Sequence, residues 1–256
     1  MPPASDLFRT IPAATVVIFR RCPLGGPPEL LMLQRSKAMR FAGGATVFPG
    51  GRIDLEDRLL AAQLMPEADQ DIAAAQIAGV RETLEETGLA IAIAGRIATD
   101  EAIAARALLL EQGALAPILE HFGWTLALDR LVPFAHWRPS WDGAFDTRFF
   151  LHDLGTGEVK IAVDATENTR LFWAGAAQAL AMADAREISV LYPTRRNLER
   201  LALFASFAEA RAQAEQFPVH VISPAEEQRD GELWLTIPEG CGYPVTGQPM
   251  ATAERG

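Results

Sequence analysis

Hydrophobic positions along the chain fall into two kinds of pattern. Ala13–Phe19 is an unbroken apolar run rich in Val and Ile, set between Pro12 and the Pro/Gly cluster of Pro23–Pro28. Short β-branched runs bounded by turn residues predict strands. Leu30–Leu33 predicts a second strand, with 19–30 as a hairpin-like connection, and Ala45–Phe48 a third that ends in the turn Phe48-Pro49-Gly50-Gly51. Helical spacing begins over Asp54–Met65, is interrupted at Pro66 and resumes over Asp71–Thr87. There Ile72, Ala75, Ile77, Val80 and Leu84 recur along one helical face, and Gly88 follows as a helix-ending glycine.

Beyond Gly88 the pattern predicts a strand over Leu89–Ala94 and a helical stretch over Asp100–Phe122, broken near Gly113 and Pro117. Strands are expected again at Leu131–Trp137, Arg148–Asp153 and Arg170–Trp173, and helices at Ala176–Ala183 and Thr194–Gln216. Pro218–Ile222 and Leu233–Ile237 predict a late pair of short strands around an acidic loop, and Gly247–Gly256 a frayed tail. Strands and helices interleave without the regular alternation of a parallel sheet, so the expected class is α+β, a mixed sandwich.

Composition narrows the function. Hydrophobic residues make up 49% of 256 and charged residues 22%, which excludes wholesale disorder. With 23 basic against 33 acidic residues the net charge is −10. A general nucleic-acid or anionic-membrane binder needs a positive field, so neither partner is expected. Only Cys22 and Cys241 are present, which fits a reducing, cytoplasmic compartment. No uncharged apolar run approaches the ~18 residues of a membrane span, and residues 1–10 lack the order of a signal peptide.

The best-defined helix carries Arg81-Glu82-Thr83-Leu84-Glu85-Glu86-Thr87-Gly88-Leu89. Glu82, Glu85 and Glu86 stand at i, i+3 and i+4, so their carboxylates project from one face. On a solvated face that spacing costs little, and Arg81 offsets part of it. On a buried face, two carboxylates ~6 Å apart repel by roughly 3 kcal/mol at an effective dielectric near 20. A divalent cation with a taste for oxygen, Mg²⁺ or Mn²⁺, makes such a cluster favourable. Upstream, Gly50-Gly51 permits bare backbone to approach a ligand closely, with Pro49 setting the entry to the turn.

The glycine turn followed by Arg-Glu-x-x-Glu-Glu-x-Gly resembles the signature of the Nudix hydrolases, G-x5-E-x7-R-E-U-x-E-E-x-G-U with U aliphatic. Gly51 matches the opening glycine and Arg81–Leu89 the second half, except that Thr83 occupies an aliphatic position. Asp57 stands where the family has its first glutamate. Residues 58–80 number 23 where the pattern has seven, an insertion of 16 that is expected to loop out before the helix. Asp57 is therefore expected to be a charge partner of Arg81 rather than a metal ligand. Arg35-Ser36-x3-Arg40-x3-Gly44-x3-Phe48-Pro49-Gly50-Gly51 resembles the upstream motif of the coenzyme A diphosphatase branch, with Leu33 in place of its threonine. The insertion and the runs His136–Pro139 and Phe145–Phe150 resemble the larger, peroxisomal-type members, although Arg138 replaces a threonine found there. The chain ends Glu254-Arg255-Gly256 rather than Ser-Lys-Leu, so no peroxisomal address is expected.

The resemblance implies a Nudix-type mixed β-sheet α/β/α sandwich. Its Nudix domain would span 10–183, with insertions near 58–80 and 97–128, and a C-terminal helix and short strands over 184–256 would pack on the same domain. It implies a Mg²⁺- or Mn²⁺-dependent pyrophosphohydrolase of coenzyme A or acyl-coenzyme A, with Gly51, Glu82, Glu85 and Glu86 as metal ligands. The general base would be Glu85, Glu86 or Glu167, and Arg35, Arg40, Gly44 and Arg148 would contact the substrate. Arg148 is equally open to structural pairing, and Trp137 and Trp141 to core packing or to stacking on an adenine. The four histidines stand alone in the sequence and are read as structural. ADP-ribose, NADH or a nucleoside triphosphate remains an alternative substrate, and a silent ligand sensor an alternative role. A homodimer is compatible with the sequence.

Overall fold

The computed structural model of the chain describes residues 8–38, 42–155, 161 and 168–253. The strand expected at 13–19 is the sheet's central strand, β1 (Ile11–Arg20), paired antiparallel with β2 (Glu29–Arg35) and parallel with β6 (Phe145–Asp153). β1 reads as continuous apolar sequence because both its faces are covered. Ala14, Val16 and Ile18 enter one core with Ile77, Val80 and Leu84 of the acidic helix, while Val17 and Phe19 enter a second core with Leu198, Leu201 and Ala210.

The sheet continues through β3 (Ala45–Val47) and β8 (Ser189–Val190) on one side and β5 (Val132–Trp137) and β9 (Val221–Ile222) on the other. β4 (Gly50–Arg52) pairs with β1, and β7 (Asn168–Gly175) with β2. Helices α1 (Leu55–Leu64), α2 (Gln70–Thr87), α3 (Thr99–Gln112) and α4 (Leu115–Phe122) contribute to the first core, and α5 (Ala176–Asp184), α6 (Tyr192–Leu201) and α7 (Phe207–Gln216) to the second. The result is the expected α+β sandwich with helical insertions and C-terminal helices.

Several elements differ from expectation for local reasons. The insertion does not loop out: it builds α1 and the first turns of α2, joined at Asp69, whose side chain accepts the backbone N–H groups of Asp71 and Ile72. Leu89, Ile91, Ala92 and Ile93 are buried, but the segment pairs with 125–127 only as an isolated bridge, Ile93 opposite Leu126, flanked by bonds from the Ala94 N–H to the Thr125 carbonyl and from the Ala127 N–H to the Ala92 carbonyl. The expected helix 194–216 is two helices, since Ser206 caps α7 through the Glu209 N–H and Glu209 returns a bond to the Ala205 N–H. The acidic stretch 225–229 is itself a strand, β10 (Ala225–Arg229), paired with β11 (Glu232–Thr236) across a turn. Asp230 and Gly231 in that turn both have positive φ, the geometry of a tight hairpin. The expected tail instead begins as β12 (Gly247–Pro249) on β11, anchored where Arg196 donates to the Gly247 carbonyl and the Gln248 side chain.

Thr83, at the position where the family motif carries an aliphatic residue, is fully buried, and its hydroxyl has no hydrogen-bond partner among the described residues. An unpaired buried hydroxyl costs on the order of 1 kcal/mol or more. Thr83→Val, of nearly equal volume, is expected to stabilise the protein by about 1 kcal/mol and raise Tm by about 2–4 °C. An unchanged or lower Tm in thermal unfolding would contradict that account.

Candidate functional site

The site is assembled where α2 passes beneath β4. Gly50 pairs with Thr15 and Gly51 with Ala14, so the turn after Pro49 becomes a short strand pressed on β1. A Cβ on Gly50 would lie 2.2 Å from the Ala14 carbonyl oxygen, and one on Gly51 would lie 2.3 Å from Glu82 Oε1. The second approach brings the Gly51 backbone directly against a carboxylate of the acidic face. Glu86 Oε2 accepts the Gly50 N–H at 2.9 Å, and Oε1 accepts the Asn168 side chain at 3.2 Å.

Arg81 organises the other two carboxylates. Its Nε and Nη2 donate to the two oxygens of Asp57 at 3.0 and 2.9 Å, Nη2 also donates to the Arg52 carbonyl at 2.9 Å, and Nη1 reaches Glu82 at 3.0 Å and Glu85 at 3.2 Å. Asp57 is 1% exposed, and its Oδ2 also accepts the Asp54 N–H at the start of α1. Asp57 is thus a charge partner of Arg81, as expected. Burial alone would lower the Arg81 pKa, but the Asp57 hydrogen bond and the neighbouring negative charges push it above its ordinary range.

The carboxylates respond to the same burial. Desolvation raises Glu82 to about 7, opposed mainly by Arg81. Desolvation, with the Glu82 charge beside it, raises Glu86 to about 8. Glu85 is raised too, again by desolvation first.

Among the described residues, no group of three or more His, Cys, Asp or Glu side chains is arranged to hold a metal. Glu82 and Glu85 point their oxygens at Arg81, and Glu86 is turned to Gly50 and Asn168. The chemistry of the donors nonetheless fits a hard divalent cation: they are carboxylate oxygens, burial opposes their charge, and Gly51 leaves open the space beside Glu82 that any side chain would fill.

An apolar cleft opens from Gly50 and Gly51. Arg35 lines it, its charge opposing in small part the rise of the Glu86 pKa, and its Nε is buried with no hydrogen-bond partner among the described residues. Trp137, Trp141, Phe145, Thr147 and Phe149 line the cleft, as do Tyr192, Pro224 and Leu235 from the C-terminal part of the chain, Tyr192 packing edge-to-face on Trp137. Gly44 is not part of this cleft; it borders a separate polar recess with Lys37, Arg186 and Arg195. Arg148 is not among the residues lining the cleft, and its Nη1 lies 3.3 Å from His136 Nδ1. His136 in turn bonds Asp146, so it does not stand alone as the sequence suggested. Arg40 and Glu167 lie outside the described residues. Asn168 and the cleft residues Tyr192, Pro224 and Leu235 went unrecognised in the sequence, although the helical stretch 194–216 was open to a role in a pocket, a dimer surface or a cover for the sheet. No spacing marks either, because Asn168 reaches Glu86 only through the pairing of β7 with β2, and the C-terminal residues only through packing.

No family model matches the chain. A curated relative, the uncharacterized Nudix hydrolase NudL of Klebsiella aerogenes, is 39% identical over 72 residues, 28% of this chain and 57% of the relative. The chain thus spans little more than half the length of that curated relative. The crystal structure of a Nudix hydrolase from Alicyclobacillus acidocaldarius superposes with a TM-score of 0.68 and 28% identity, over 81% of this chain and 97% of that one. These similarities in sequence and fold support membership of the Nudix hydrolase superfamily, broadly drawn.

Two outcomes follow from this geometry. Asp57→Ala strands the Arg81 charge in the interior and is expected to destabilise the protein by roughly 3–5 kcal/mol in urea unfolding; a loss below about 1 kcal/mol would remove Asp57 from this role. The second concerns pH. Glu82 and Glu86 keep their protons in the folded chain up to about 7 and 8, whereas the unfolded chain releases them near 4.5. The unfolded state then binds fewer protons, so these groups lower stability as pH rises from about 4.5 to 8. In chelator-treated protein Tm should fall across that window, and Glu86→Gln should flatten the fall; an equally steep profile in the variant would contradict it.

Proposed function

We propose that the chain is a divalent-metal-dependent pyrophosphohydrolase that cleaves the diphosphate of coenzyme A or an acyl-coenzyme A, releasing 3′,5′-ADP and the (acyl-)4′-phosphopantetheine. What carries the assignment is the close approach of Gly51 to Glu82, with Glu86 on the Gly50 N–H, at the edge of a cleft that Arg35 also lines. The choice of coenzyme A among diphosphates rests on the upstream spacing of Arg35, Ser36, Arg40, Gly44 and Phe48.

Glu82, Glu85, Glu86 and the Gly51 carbonyl would hold Mg²⁺ or Mn²⁺, which when bound neutralises phosphate oxygens and makes water more acidic. Arg81, clamped by Asp57, fixes the directions of Glu82 and Glu85. Arg35 offers an unpartnered donor and a positive charge beside the glycine turn, suited to a phosphate oxygen. Of the candidate bases, Glu85 has a side chain 20% exposed, against 16% for Glu82, and Glu86 is buried; with its raised pKa it is the best placed to take a proton from an attacking water. Arg40, Gly44, Arg148 and Glu167 remain proposed contributors, with the Gly44 and Arg148 contacts requiring substrate to reach beyond the cleft.

Product analysis with Mg²⁺ or Mn²⁺ across coenzyme A, acyl-coenzyme A, NADH, ADP-ribose and nucleoside triphosphates tests the assignment. The expected outcome is 3′,5′-ADP from the coenzyme A substrates at the highest kcat/KM; faster cleavage of NADH or ADP-ribose would move the enzyme to another substrate. Glu85→Gln and Glu86→Gln should each lower kcat by roughly 100-fold or more with the fold retained. Near-normal rates in both would sink the metal-carboxylate assignment.

A further inference from the structure

The cleft beside the glycine turn has a composition that the diphosphate chemistry does not explain. Arg35 is the only charged side chain among the described residues that line it, and it stands with Gly50 and Gly51 at the diphosphate end. Part of its lining comes from the C-terminal third of the chain: Tyr192, Pro224 and Leu235 join Trp137, Trp141 and Phe149, with Tyr192 packed edge-to-face on Trp137 at 6.0 Å. The polar ends of the buried aromatics are committed elsewhere. The Tyr192 hydroxyl donates to the Leu235 carbonyl at 2.9 Å, and Trp137 Nε1 donates to the Tyr243 hydroxyl at 3.1 Å.

Selecting a purine takes hydrogen bonds to its edge in addition to stacking on an aromatic face, and selecting a phosphate takes cations or backbone N–H groups. Neither is offered by this part of the lining. An aliphatic guest needs nothing but apolar surface and exclusion of water. The cleft offers about 160 Å³ and is open to solvent at its mouth; an apolar cavity of roughly that volume accepts a guest of about six carbons.

We propose that this cleft is an acyl subsite: it seats the aliphatic arm of a diphosphate-linked substrate, and the C-terminal segment carrying Tyr192, Pro224 and Leu235 sets the chain length accepted. The subsite rests on the diphosphate assignment above only for which end of the cleft faces the phosphates. Its occupancy by an alkyl chain is a separate physical claim, and can be measured without any phosphate present.

The measurement is calorimetric binding of S-acyl pantetheines, which lack both nucleotide and diphosphate, with acyl chains of two, four, six and eight carbons. Affinity is expected to rise roughly fourfold per methylene up to about six carbons and then to level off. Leu235→Trp should fill the cleft and abolish the dependence on length. Trp141→Ala, at a half-exposed position where folding is not at stake, should weaken the six-carbon probe by about tenfold while the two-carbon probe changes little. Glu85→Gln, which removes turnover, should leave the length series intact. No rise in affinity with chain length, or an unchanged series in both Leu235→Trp and Trp141→Ala, would overturn the subsite. A length series in a protein that cleaves no coenzyme A would uphold the subsite and end the coenzyme A assignment; coenzyme A cleavage without a length series would do the reverse.

Discussion

Arg81 and Asp57 are charges held in the interior, 3.0 and 2.9 Å apart at two pairs of atoms, and neither is tolerable there without the other. Their pairing joins parts of the chain that sequence distance separates. Asp57 belongs to the first turn of the inserted helix α1, Arg81 to the acidic helix α2, and the Arg52 carbonyl that shares the guanidinium closes the strand of the glycine turn. One guanidinium therefore sets the height of α2 beneath β4. It also restrains Glu82 and Glu85, because its remaining nitrogen is divided between them.

Given that height, the glycines become obligatory for steric reasons. With Gly51 packed to within van der Waals distance of Glu82, no side chain has room, and Gly50 is pinned by its pairing with Thr15 while its N–H is taken by Glu86. The same closeness strips water from the carboxylates and raises their pKa values. Turn and helix form one device: the bare backbone permits the approach, and the approach creates the electrostatic demand that a divalent cation would meet.

The parts of this device written into local sequence were legible. Gly88 ending α2, the strand at 45–48 and the hairpin at 19–30 follow from turn chemistry and periodicity, and the i, i+3, i+4 spacing of Glu82, Glu85 and Glu86 fixes their common face. Asp57 was expected to partner Arg81 because it stands where the family motif has its first glutamate, separated from the rest of the motif by the insertion. The misses share a cause. The run 89–94 has a strand's composition, but among the described residues it meets a partner, 125–127, at a single bridge only, a matter of tertiary neighbours. The break at Ser206 and the turn at Asp230-Gly231 did carry signals, a capping pair and a tight-turn dipeptide, which the surrounding alanine-rich and acidic composition obscured. His136 and Arg148 were unreadable as partners because only the pairing of β5 with β6 sets them opposite each other.

The acidity of the chain looks different once charge is placed. A net −10 disfavours polyanions at long range, yet a small ligand responds to what stands within a few ångströms. At the glycine turn the local balance, among the described residues, combines carboxylates that burial makes reluctant to ionise, one arginine with an unpartnered nitrogen, and a cleft otherwise without charge. Such a gradient, from polar turn to apolar wall, discriminates between the two ends of an amphipathic molecule. Because the wall is built by residues 191–235 and the turn by residues 50–86, the two ends can be tuned separately: a change at Leu235 alters what the wall accepts without moving Arg81, Asp57 or the glycines that hold the carboxylates in place.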